Sequence, residues 1–256
     1  MDTLPKQFIE NHIGTVMDIV LLEQQGCTST VYKISALHGT YILKSAEPEI
    51  FRELLENEAE VLKKLNEQTD IPVPRFHGFT RTDSKSHLLM SYEEGVTLTE
   101  ALAEADSQGV KNDLIESFST LLHRLHTADT SILKISSRGK WLDIQLKKAA
   151  EYLQAGNTDG NQDLLDDLRN KKPHDIKSTV IHGDCTTDNV LVKNNQVYLF
   201  IDAGGMTYGD PRYDIALAVS EFLNHQDELS SFYRGYQRYK IDASEFKYFD
   251  SLYEFF

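Results

Sequence analysis

The chain has 256 residues, of which 40% are hydrophobic and 10% aromatic, enough to bury a large core and too apolar for a disordered chain. Forty acidic residues against 26 basic ones leave a net charge of −14. That excludes nucleic acid as the expected partner, because phosphate neutralisation needs a basic face, and it suits a small cationic molecule.

Two cysteines, Cys27 and Cys185, are too few for a disulfide framework. The start, MDTLPKQFIE, lacks a basic-then-apolar leader pattern, and no apolar run approaches membrane-spanning length. The expectation is a cytoplasmic protein with reduced thiols, a monomer or weak dimer, with no membrane partner.

In chain order, the first 92 residues read as a β-rich lobe. Ile19–Leu22 is a short apolar run, Thr30–Ile34 and Tyr41–Lys44 have strand composition, and Leu37-His38-Gly39-Thr40 is a turn between them. Helical spacing predicts a helix over 51–65, with Leu54, Leu55, Glu58, Val61, Leu62 and Leu65 on one face. Glu58 is the anomaly in that stripe, since a carboxylate there needs a partner. Ile71-Pro72-Val73-Pro74 ends the helix in extended chain, and His87–Tyr92 reads as a buried strand. Glu93-Glu94-Gly95 breaks it, which puts the lobe boundary between residues 92 and 93.

Residues 93–256 read as mainly helical and hold most of the negative charge. Thr97 or Thr99 suits a helix cap, and Leu114, Ile115, Phe118, Leu121, Leu122 and Leu125 mark an amphipathic helix ending near His126. Helices are expected over 140–153 and 162–169, with a polar loop between them. Val190–Val192 and Val197–Ile201 are strands joined by Lys193-Asn194-Asn195-Gln196, a tight hairpin turn. Another helix follows Asp214, and the chain closes on an aromatic-rich stretch, Tyr253-Glu254-Phe255-Phe256.

The chemistry is concentrated in residues 180–215, VIHGDCTTDNVLVKNNQVYLFIDAGGMTYGDPRYDI. Moving a γ-phosphoryl group needs Mg²⁺ held against the phosphates and a group that orients the attacking hydroxyl. Mg²⁺ takes oxygen ligands and keeps water, so two side chains suffice. Asn189 before the hairpin and Asp202 after it supply them, and Asp184, one loop upstream, is placed to orient a substrate hydroxyl. Asp210 and Asp214 read as structural support for the catalytic loop, and His182 as a packing and hydrogen-bonding residue rather than a base. The other histidines show no metal-site spacing.

His182-Gly183-Asp184-Cys185-Thr186-Thr187-Asp188-Asn189 resembles the HGDxxxxN motif of the aminoglycoside phosphotransferase family, followed in order by Ile201-Asp202-Ala203-Gly204, Gly209-Asp210-Pro211 and Asp214-Ile215-Ala216. Protein kinases carry Arg where this chain has Gly183, and the segment after Asp202 is too short for a peptide-binding platform. The resemblance implies an α+β, two-lobed protein-kinase-like fold, with a β-rich N-terminal lobe over 1–92 and a mainly helical C-terminal lobe over 93–256. It implies a strand lysine, Lys44, pairing with Glu58 and reaching the phosphates of ATP or GTP. Thr28 and Ser29 would cover those phosphates, backbone groups of Ser91 and Glu93 would meet the base edge, and Ile42 would pack on its face. Cys27 and Cys185 would then border the nucleotide, which should slow alkylation of at least one.

The tail is similar to that of the aminoglycoside 3′-phosphotransferase branch, which implies that Glu254 and the carboxylate of Phe256 contact substrate amines. The chain departs from that branch at Gly205, where the branch has Arg, and at Gly209. An aminoglycoside is therefore the first acceptor to consider, with an amino alcohol, sugar, amino acid or macrolide as alternatives. A nucleotide-binding module without turnover would be expected to lack one of Lys44, Glu58, Asp184, Asn189 and Asp202.

Overall fold

The computed structural model describes residues 4–23, 25–26, 28–128 and 140–256. The chain divides into two compact units, Met1–Glu94 with Phe200–Gly204, and Gly95–Leu199 with Gly205–Phe256. The short returning segment carries Asp202 into the first unit.

The first unit is built on a five-stranded antiparallel sheet of β1 (Val16–Leu21), β2 (Thr30–Ala36), β3 (Gly39–Ala46), β4 (Phe76–Arg81) and β5 (Ser86–Ser91), in the order β1-β2-β3-β5-β4. Helix α1 (Lys6–Ile13) sets Ile9 and Ile13 against Ile34, Ala36, Leu43 and Leu89. Side chains alternate along a strand, so Leu43 facing α1 turns Lys44 to the opposite side. There it meets α2 (Glu49–Gln68), which buries Leu55, Glu58, Ala59, Val61, Leu62 and Leu65. The helix extends beyond the expected 51–65 at both ends. Leu54, expected in the buried stripe, is 40% exposed, because the stripe turns onto Leu55 and Glu58 instead.

The second unit holds β6 (Val96–Thr97), α3 (Leu98–Glu104), α4 (Gln108–Thr127), α5 (Trp141–Ala155), α6 (Gln162–Asn170), β7 (Thr179–Ile181), β8 (Val190–Lys193), β9 (Gln196–Phe200), β10 (Thr207–Gly209), α7 (Pro211–Val219), α8 (Gln226–Gly235) and α9 (Ala243–Tyr253); the last residue of β9 passes to the first unit. Thr97 caps α3 in a reciprocal box with Glu100. Asn194 and Asn195 both take left-handed backbone (φ 51° and 59°), which Asn tolerates and which the two-residue turn between β8 and β9 requires. The core gathers Leu146 and Ala149 of α5, Leu165 and Leu168 of α6, Ile181, Tyr213, Ala216 and Leu217 of α7, and Tyr248, Phe249, Leu252 and Phe255 from the end of the chain.

Candidate active site

In the first unit, three charged side chains meet. Lys44 Nζ lies 2.8 and 3.0 Å from the two carboxylate oxygens of Glu58 and also donates to Asp202 Oδ1. Lys44 and Glu58 are buried, whereas the Asp202 side chain is about half exposed. Burial alone would push the lysine toward its neutral form; the charges of Glu58 and Asp202 outweigh it and hold the ammonium protonated well above its ordinary range. Two local features bring Asp202 there. Phe200 N–H donates to Pro72 O at 3.0 Å, and Gly204 lies so close to α2 that an added Cβ would stand 3.4 Å from Glu58 Cβ. Asp202 itself takes a left-handed backbone, φ 54°, unusual for a residue with a side chain.

The rest of the first unit's candidate residues are less gathered. Thr28 is exposed and Ser29 half-buried in the β1–β2 loop, and Cys27 lies outside the described residues. That loop is clamped by Gln25, a residue the sequence did not single out: its side chain accepts from Val31 N–H at 2.8 Å and donates to Val31 O at 3.1 Å, imitating a strand pair. Ile42 is buried on β3 opposite Met90. Ser91 N–H is already given to Arg75 O at 2.9 Å, and Ser91 Oγ accepts from Arg75 N–H at 2.7 Å, so Ser91 has its carbonyl rather than its N–H to offer a base edge.

In the second unit, β7 runs directly into His182-Gly183-Asp184. Gly183 has φ 84°, and a Cβ there would stand 2.4 Å from Gly205 O, so this bend admits only glycine. A Cβ at Gly205 would likewise meet His182 O at 2.9 Å, so the close packing of the two backbones goes with the loss of any side chain at 205. Asp214, in the first turn of α7, accepts His182 N–H at 2.6 Å and Gly183 N–H at 2.9 Å. Its Oδ2 also meets His126 Nε2 at 3.0 Å, and His126 Nδ1 meets Tyr236 Oη at 2.7 Å. Burial lowers the His126 pKa despite the bond and charge of Asp214. His126 is thus an interior hydrogen-bonding group that ties α4 and α8 to the bend. His182 is fully buried, and its Nδ1 accepts Asp184 N–H at 3.3 Å.

Asp184 is half-buried. Asn189 Nδ2 donates to its Oδ2 at 2.7 Å and to its carbonyl at 2.9 Å, and Tyr253 Oη donates to its Oδ1 at 2.9 Å. With both amide hydrogens aimed at Asp184, the side-chain carbonyl of Asn189 is the atom left to act as a ligand.

Two expectations, for Asp210 and Cys185, are corrected. Asp210 is not turned to the catalytic loop: it caps α7 through Arg212 N–H (3.0 Å) and pairs with the buried Arg212 guanidinium (2.6 Å), which also binds Glu245 (2.8 Å). Cys185 is fully buried and desolvation pushes its thiol well up, so it is an inert group and no alkylation reporter. Glu254 is held by its backbone: its carbonyl accepts from Thr158 Oγ1 at 2.7 Å and Gly160 N–H at 3.0 Å, and its side chain is exposed. Phe256 is 48% exposed and meets the Tyr152 ring edge-on at 5.7 Å.

A strand lysine paired to a helix glutamate, and an HGD bend carrying an aspartate and an asparagine five residues apart, define a kinase-type phosphotransferase with a protein-kinase-like α+β fold. The chain belongs to the phosphotransferase enzyme family, whose profile matches residues 22–249. It is similar to an aminoglycoside 3′-phosphotransferase of Enterococcus faecalis, with 26% identity over 238 residues, 88% of this chain and 89% of that one. Among solved structures it resembles an aminoglycoside-3′-phosphotransferase of type VIII, with TM-score 0.77, 24% identity and 93% of each chain covered. It also resembles an aminoglycoside phosphotransferase in ternary complex with ADP and hygromycin B, with TM-score 0.70, 16% identity, and 98% and 88% of the two chains covered. Phosphoryl transfer is the activity of that family.

Proposed function

We propose that the chain phosphorylates a hydroxyl of an aminoglycoside, with ATP as donor and Asp184 as the group that orients the attacking oxygen. The observation that carries this reading is the setting of Asp184: among the described residues its carboxylate is held by the neutral donors Asn189 and Tyr253, so no cation competes with an incoming hydroxyl for it. The 3′-phosphotransferase relatives and the acidity of the helical half support an aminoglycoside as acceptor. In this reading Lys44, fixed by Glu58, binds the donor phosphates; Thr28 and Ser29 cover them; Ile42, the Ser91 carbonyl and Glu93 hold the base. Asp214 and His182 brace the bend, and exposed Glu254 and Phe256 meet the acceptor.

Mg²⁺ fits the oxygen donors available. Among the described residues no cluster of three or more His, Cys, Asp or Glu could hold a metal; the Asp202 carboxylate in the first unit and the Asn189 side-chain carbonyl in the second are each a hard oxygen donor of the kind Mg²⁺ takes. When bound, Mg²⁺ would neutralise charge on the phosphate oxygens. The chain's own residues do the remainder: Lys44 fixes the phosphates and Asp184 takes the hydroxyl hydrogen bond. A panel of aminoglycosides, homoserine, choline and macrolides, each with ATP and GTP and read by nucleotide consumption, tests the acceptor. Turnover confined to a non-aminoglycoside would overturn that assignment and leave the phosphotransferase intact.

A further inference from the structure

Asp184 is held on both carboxylate oxygens, and the two holders have different origins. Asn189 is five residues on and belongs to the same motif, whereas Tyr253 is 69 residues away, in the last turn of α9. Its place there is built. The α9 N-terminus is locked by a capping box between Asp242 and Glu245, and Arg212 binds Glu245 at 2.8 Å. Tyr248, Phe249 and Leu252 pack the helix into the core, and buried Phe255 follows directly. The Tyr253 ring itself lies against Tyr213, with centroids 6.4 Å apart, while the residue stays 36% exposed.

A carboxylate has about four lone-pair positions. Asn189 and Tyr253 use one on each oxygen, which fixes rotation about the Cβ–Cγ bond and leaves a direction open for an incoming hydroxyl. Both holders are neutral. Partial burial, with the charges of Asp184 and Asp188, pushes the Tyr253 phenol well above its ordinary range, so it remains a donor.

We propose that Tyr253 is a positioning residue for phosphoryl transfer, its hydroxyl holding Asp184 Oδ1 so that the carboxylate meets the acceptor in line. This rests on the reading of Asp184 as the orienting group. A residue that only packed α9 would need its ring and not its hydroxyl, so the two roles separate cleanly in Tyr253→Phe.

The test compares wild type, Tyr253→Phe, Tyr253→Leu and Asp184→Asn, with MgATP and a 3′-hydroxyl aminoglycoside and with MgATP and water alone. In Tyr253→Phe, kcat should fall about tenfold, ~1.4 kcal/mol of barrier, for both acceptors, with an unchanged ATP KM and melting temperature. Tyr253→Leu should add little to that loss of kcat. Wild-type kcat in Tyr253→Phe, or a loss matched by a weaker ATP KM and a lower melting temperature, overturns the proposal. If Asp184→Asn is inactive while Tyr253→Phe is fully active, only the role of Tyr253 fails. If Asp184→Asn keeps wild-type kcat, the reading of Asp184 fails, and with it the proposal.

Discussion

The two units treat their key carboxylates in opposite ways. In the first, Glu58 and Asp202 are paired to a full positive charge on Lys44, two of the three groups being buried. In the second, Asp184 is held by an amide and a phenol, and Asp214 by backbone N–H groups and a histidine whose pKa burial depresses. The roles proposed for the two sites account for the difference. A cation that must remain charged beside phosphates needs anions to repay its desolvation. A carboxylate that must receive a hydroxyl hydrogen bond loses its value once a cation neutralises it, so it is oriented by neutral donors instead.

The comparison breaks most visibly at Asp184. Asp184→Asn keeps the shape and removes the charge, and kcat should fall by about 10²- to 10⁴-fold, with nucleotide affinity retained in a binding titration. Wild-type turnover would remove Asp184 from the mechanism. On the ionic side, Glu58→Ala leaves the buried Lys44 ammonium with Asp202 alone; the variant should lose ~3–5 kcal/mol of stability in denaturant unfolding and show a raised ATP KM. A stable variant with normal ATP kinetics would show that the pair is not needed.

Much of this contrast was legible in the sequence. Glu58 stands out as a carboxylate in an apolar helical stripe that needs a partner, and the resemblance to the phosphotransferase family supplies Lys44 as that partner. Asp184 and Asn189 stand five residues apart and carry their own motif. What was not legible depends on distance along the chain. Tyr253 reaches Asp184 over 69 residues, and no local pattern announces that contact. Asp210 sits in the same motif as Asp214 but is captured by Arg212, two residues on, as a helix cap. Strands β7 and β10 have three residues each, too few to display a period of two, yet they set the entry to the HGD bend. Leu54 was misplaced because either edge of the α2 stripe fits helical spacing, and only packing decides between them.

Smaller effects sharpen the neutral side. Asp214→Asn offers one acceptor oxygen where two were used, so one of the His182 and Gly183 N–H groups loses its partner. The cost should be ~1–3 kcal/mol, read as a lower melting temperature, together with reduced kcat and an unchanged ATP KM. An unchanged melting temperature would show that the bend holds itself.

The smallest effect is in pH. Burial lowers the His126 pKa below the ordinary 6.5, with Asp214, Tyr236, Arg238 and His123 around it. As pH falls below about 6.5, the unfolded imidazole binds a proton that the folded one does not. Stability tied to His126 is therefore complete above that pH and is lost as pH falls toward the lower, folded value. Melting temperatures from pH 8 to pH 5 should decline, with a shallower slope in His126→Gln; equal slopes would exclude His126 as a source.

The most direct measurement is phosphorus NMR of the products after incubating wild type and Asp184→Asn with MgATP and an aminoglycoside bearing a free 3′-hydroxyl. Wild type should give a new phosphate monoester on the aminoglycoside, and Asp184→Asn none above background. The same monoester formed equally by both proteins would contradict the role given to Asp184.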